Sequence, residues 1–145
     1  MTKPEIYIGI DPGTHTGVAV WNSREREFEY VLTMDEFEAK VFVMNILQAY
    51  EHVHVVVEDA RKRKKFQGGP ERLQGAGSVK RDSKQWEDTL KNFQKTYTGL
   101  TFKMVAPNGK TNKLAENKEL THKNLNIRGV TSIHARCAAF LVWNA

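Results

Sequence analysis

Apolar residues recur at every second position at the start of the chain, where Ile6, Ile8 and Ile10 alternate with Tyr7 and Gly9 before the run stops at Asp11. A period of two predicts a β-strand. The next residues, Asp-Pro-Gly-Thr-His-Thr-Gly over 11–17, are rich in turn formers, and residues 18–21 begin a second apolar run. Residues 6–21 therefore read as a hairpin with the carboxylate of Asp11 at its mouth. Residues 28–32 predict a third strand across a polar connection. Thr33 and Glu36 have capping-box spacing, and Phe37, Val41, Met44 and Gln48, flanked by Phe42, Ile46 and Ala49, mark a helical face. These features predict a helix over 35–50. Residues 52–58 (HVHVVVE) form a compact β-branched run typical of a buried central strand. It also ends on an acid, Glu58.

The second half begins with a basic run, Arg61, Lys62, Arg63, Lys64 and Lys65, followed by Phe66 and by Gly68, Gly69, Pro70, Gly75 and Gly77. That composition predicts a flexible basic loop over 60–76. Val79, Trp86, Leu90, Phe93 and Tyr97 follow at spacings of seven, four, three and four, which predicts a long helix over 77–97. Residues 100–105 predict a short strand, 107–110 a turn into a polar, Lys-bearing segment with a short helix, and 132–143 a closing apolar helix. The order is β, β, β, α, β, α, β, α. Three meandering strands followed by alternating helices and strands predict an α/β fold, with a mixed sheet covered by helices. In such a sheet the first and fourth strands can be neighbours, which brings Asp11 and Glu58 to the same end.

At 145 residues, 40% hydrophobic and 27% charged, the chain reads as one domain, residues 1–145, with a single core. No apolar run approaches a membrane span, and the N-terminus lacks a basic region followed by a long apolar stretch, so a membrane protein is not expected. A lone cysteine, Cys137, excludes an internal disulfide framework and fits a reducing compartment such as the cytoplasm. The net charge of +5 is moderate, so its distribution matters more than its total. Cations cluster beside Glu58, where residues 61–65 would hold phosphates, with Lys80, Arg81, Lys110, Lys113 and Arg128 extending the surface.

Two carboxylates facing one pocket suit Mg²⁺, which is commonly held by one or two acids with waters and substrate phosphates completing its shell. The last helix adds His134 and Cys137 on one face, three residues apart, and Arg136 on another. Two ions about 3.5–4 Å apart would clamp a phosphodiester undergoing in-line attack. Each residue also has a plainer reading. Cys137 alone is a small buried hydrophobe, Phe66 either packs its loop or wedges between base pairs, and Trp86, Phe93 and Tyr97 belong to a core or a dimer interface. Asp59 points by alternation to the opposite sheet face, and Asp82 and Asp88 belong to the solvated side of a helix.

The ordered set of motifs resembles the RuvC-like Holliday junction resolvases of the RNase H-like superfamily, particularly the phage-borne branch. The likeness rests on Gly9-Ile10-Asp11-Pro12-Gly13 with Thr16-Gly17, on Val55-Val56-Val57-Glu58, on Gly75-Ala76-Gly77-Ser78-Val79, and on His134-Ala135-Arg136. It implies an RNase H-like five-stranded sheet with antiparallel first strands and helices on both faces. It further implies a homodimeric, Mg²⁺- or Mn²⁺-dependent endonuclease that cuts four-way DNA junctions in a bacterial or phage-infected cell. By position, Asp11, Glu58 and His134 are the implied metal ligands. Cys137 stands where that pattern has an aspartate, and a thiol is a poor replacement for a carboxylate on Mg²⁺. The alternatives are reduced activity with His134 carrying the second ion site, recruitment of a nearby acid such as Asp59, or a protein that binds junctions with weak or lost cleavage. A phosphotransferase of the actin and sugar-kinase type also uses an Asp-x-Gly-Thr turn, but it needs two domains.

Overall fold

The computed structural model describes residues 3–63 and 70–145, with the backbone alone over 70–76. Its elements are β1 (Ile6–Asp11), β2 (His15–Asn22), β3 (Glu27–Asp35), α1 (Glu36–Ala49), β4 (Val53–Glu58), a single 3-10 turn (Ala60–Lys62), α2 (Pro70–Gln94), β5 (Leu100–Val105), α3 (Gly109–Ala115), α4 (Lys118–Leu125) and α5 (Ile133–Val142). The five strands form one sheet in the order β3-β2-β1-β4-β5. β1 pairs antiparallel with β2, and β2 with β3, while β4 runs parallel to both β1 and β5. The fold is thus the mixed α/β sheet expected from the element order.

Strand alternation divides the core in two. Ile6, Ile8, Ile10, Val18, Val20, Val53, Val55 and Val57 face α1 and α2, where Ala39, Val43, Leu47, Trp86 and Leu90 meet them. Ala19, Trp21 and Val56 face the other way, against Ala138, Ala139 and Val142 of α5 and Leu125 of α4. Helices therefore cover both faces, and burial of this apolar area is the main force holding them there. α5 lies so close to the sheet that a Cβ on Gly9 would overlap the Ala138 carbonyl, and one on Gly17 the His134 carbonyl. Only glycine admits that approach.

Several local expectations need correction. α1 is capped by Asp35, whose Oδ1 accepts from the Glu38 amide at 2.8 Å, whereas Thr33 stays in β3 with its hydroxyl against that of Ser132. The buried stripe of α1 is Ala39, Val43 and Leu47, and Phe37 is 76% exposed. Apolar residues surround this helix, so the sheet selects the stripe whose small Ala39 allows close contact. The described part of α2 runs from Pro70, so helix stands over 70–76, where loop was expected. Residues 64–69 lie outside the described ones. α2 ends at Gln94, short of Tyr97, and its Val79 is exposed while Asp82 is buried. Two helices stand where one was expected after β5, because Asn108 and Asn117 each cap a helix start. Among the described residues no helix is long and apolar enough to cross a membrane.

Candidate functional site

The parallel register of β1 and β4 pairs Ile10 with Val57, so the next residues, Asp11 and Glu58, end adjacent strands at the same edge. Alternation sends both toward the α5 side. Asp11 continues the row of Tyr7 and Gly9, and Glu58 that of Val56, which packs on α5. Both carboxylates are half-buried. Glu58 has its pKa pushed up to about 7, first by burial and then by the negative charge of Asp11; the Asn112 side-chain amide and Arg63 oppose the rise. Two acids facing each other in a partly dry niche resist ionising together.

α5 begins above this pair. Ser132 caps it, with Oγ accepting from the Ala135 amide at 3.3 Å, and the first turn carries His134 out over Asp11. His134 Nδ1 stands 3.3 Å from Asp11 Oδ2. That contact, the largest influence on the ring, raises the His134 pKa despite a partial burial that lowers it. Cys137 is 8% exposed. Burial, followed by the charges of Asp11 and Glu58, pushes its thiol up to about 12, so it stays protonated at neutral pH. The four side chains therefore share one electrostatic neighbourhood. Among the described residues, however, no three His, Cys, Asp or Glu side chains are grouped closely enough to hold a metal ion together.

The other acid considered, Asp59, is committed elsewhere. It is 1% exposed and faces α2. Its Oδ1 accepts from Arg61 N at 3.0 Å and Nε at 2.8 Å, and its Oδ2 from Arg61 Nη2 at 2.7 Å. The same guanidinium reaches Glu87 Oε1 at 3.2 Å. Asp59 is thus tied to Arg61 and not to Asp11 or Glu58, and the Arg61 guanidinium turns toward Asp59 and Glu87. Lys62 is exposed, though its Nζ donates to the Met104 carbonyl at 2.7 Å. Arg63 is exposed and acts electrostatically on Glu58. Lys64, Lys65 and Phe66 lie outside the described residues. Lys80 is half-buried, and Arg81 is exposed with Nη2 3.3 Å from Ser78 Oγ. Lys110, Lys113 and Arg128 are exposed.

Two residues have roles that a reading of the sequence does not assign. Asn112 of α3 faces Glu58, a pairing across 54 residues that no spacing signals. Arg136, next to Cys137 in α5, is 7% exposed and clamps α3 to the start of α5. Its Nε donates to the Ala115 carbonyl at 2.7 Å, and its Nη1 to the Thr131 carbonyl at 2.7 Å and hydroxyl at 3.1 Å. Its place in the His-Ala-Arg motif is the one clue the sequence offers. Comparison with protein-family models and with curated proteins returns no match to this chain.

Proposed function

We propose that the protein is a metal-dependent endonuclease acting on branched DNA, in the manner of the RuvC-like resolvases that its motifs resemble. The observation that carries this reading is the pair Asp11 and Glu58, ending adjacent parallel strands on one face beneath the start of α5. The pair fits one hard divalent cation. Both donors are carboxylate oxygens, and a cation between them offsets the repulsion and burial that hold Glu58 at about 7. When bound, Mg²⁺ supplies Lewis-acid polarisation of the scissile phosphate and lowers the pKa of an attacking water.

The chain's own groups have distinct tasks. Asp11 and Glu58 hold the ion, and Asp11 also orients His134 at 3.3 Å. His134, about half exposed at the rim, contributes to a second ion position, as the resemblance implies. Arg63, Arg81, Lys110 and Lys113 are the cations offered to flanking phosphates, each neutralised phosphate adding about 0.9 to the salt slope. Symmetrical cutting of a four-way junction needs two such sites, so the active form is a C2 homodimer.

The test is incubation with a synthetic four-way junction and a matching linear duplex, in Mg²⁺, in Mn²⁺ and with chelator. Paired nicks confined to the junction and to the metal-containing reactions are expected, and Asp11→Asn abolishes them. Equal binding of both DNAs with no cutting overturns the reading. One observation favours a second reading, a junction-binding protein with weak cleavage: Cys137, at the position where the resemblance expects an acid, is a protonated thiol. Selective junction binding without nicks, converted to cutting by Cys137→Asp, would establish that alternative.

A further inference from the structure

The ion pairs behind Glu58 are built as a bracket. The chain leaves β4 at Glu58 and enters at once a turn fixed to β5 and α2. The Asp59 amide donates to the Val105 carbonyl of β5 at 2.7 Å, and the Ala60 amide to Ser83 Oγ of α2 at 3.3 Å. Arg61 then bridges the carboxylate of Asp59, with two bonds of 2.8 and 2.7 Å, to Glu87 of α2. Asp59 is almost fully buried and Arg61 is about two-thirds buried. A bidentate guanidinium in such a setting fixes direction as well as charge. All of these bonds start within three residues of Glu58, and none involves Asp11, Glu58 or His134.

We infer that Arg61, held between Asp59 and Glu87, is a positioning residue that fixes where the Glu58 carboxylate stands, and is not a phosphate contact. The inference rests on the proposed ion site. Its content is separate: the first cation of the RKRKK run serves the carboxylate and not the DNA. Groups that orient metal ligands without touching the metal are worth about 10- to 100-fold in metal affinity or activity. The fork geometry, not the charge, is what Arg61 supplies, so lysine does not replace it.

Two substitutions separate geometry from charge. Arg61→Lys keeps the cation and loses the fork. Glu87→Gln removes a negative charge, which favours DNA binding by simple electrostatics, while weakening the bracket. The expected result is that each variant lowers kcat on the junction about 10-fold, with KM and the salt slope of binding unchanged, and weakens Mg²⁺ binding to the DNA-free protein about 10-fold by calorimetry. The inference is overturned if Arg61→Lys cuts like the wild type, or if Glu87→Gln binds DNA more tightly and cuts at least as fast. Hydrogen exchange at the Ala60 and Arg61 amides distinguishes this failure from failure of the nuclease reading. Should the wild type neither cut nor bind Mg²⁺, protection of those amides that is lost in Glu87→Gln supports the bracket, and equal exchange in the two proteins overturns it.

Discussion

The close approach of α5 to the sheet makes Gly17 the most direct link between packing and site. In Gly17→Ala the new Cβ falls on the His134 carbonyl and 2.9 Å from the Ala135 nitrogen. Both are backbone atoms, which cannot turn aside as a side chain would, so the first turn of α5 must lift by roughly 1 Å. Overpacking of this kind costs about 1–3 kcal/mol, and an immovable neighbour puts Gly17→Ala at the upper end, about 3 kcal/mol. For a chain of this length that is a drop of roughly 10 °C in Tm. Lifting the turn also draws His134 away from Asp11, so its titration midpoint falls toward the ordinary imidazole value. The sign follows from linkage. A histidine whose folded pKa is raised adds stability that is fully present below its unfolded pKa and is lost as pH rises through the folded one. Gly17→Ala should lack that component. Urea unfolding across pH, with NMR titration of His134, measures both effects. Gly77→Ala is the control: its Cβ meets nothing within 4 Å, and it should stabilise α2 by about 0.5–1 kcal/mol. A Gly17→Ala protein as stable as the wild type, with an unmoved His134 midpoint, would refute the packing argument.

Two further substitutions probe the acids and the thiol. Because the Glu58 pKa rises from 4.5 to about 7 on folding, its ionisation removes stability as pH climbs through that interval and leaves it low above. Glu58→Gln should therefore be inactive yet more stable than the wild type at pH 8 without metal, by at most about 3 kcal/mol in urea unfolding; lower stability at pH 8 would contradict the buried like-charge pair. Cys137→Asp places a third acid beside the first two and should cost about 3 kcal/mol in chelator. Mg²⁺ should then raise its Tm more than that of the wild type and increase junction cutting, whereas equal metal responses would show that position 137 does not face the ion.

The sheet and its two acids were legible because their signals are local. Alternation of Ile6, Ile8 and Ile10 and the β-branched run 53–57 identify strands by period, and each strand visibly ends on a carboxylate. Faces and partners were less legible, since they depend on what arrives from far along the chain. α1 offers apolar residues in every direction, and only the sheet decides that Val43 and Leu47 are buried while Phe37 is not. Arg61 reads as a free cation until Glu87, 26 residues later, comes beside it. The helical backbone over 70–76 was hidden by Gly75 and Gly77, which argue for loop when counted singly. Asn112 and Arg136 carry no periodic signal at all, and their importance appears only once α3 is laid across α5.

Everything proposed for the site depends on Asp11 and Glu58 acting as one cation-binding pair, and calorimetric titration of the DNA-free protein with Mg²⁺ at pH 8 asks this directly. The expected result is at least one ion bound per chain in the wild type and loss of that binding in Asp11→Asn and in Glu58→Gln alike. Retention of full binding by either variant, or no binding by the wild type with Mg²⁺ or Mn²⁺, would contradict it.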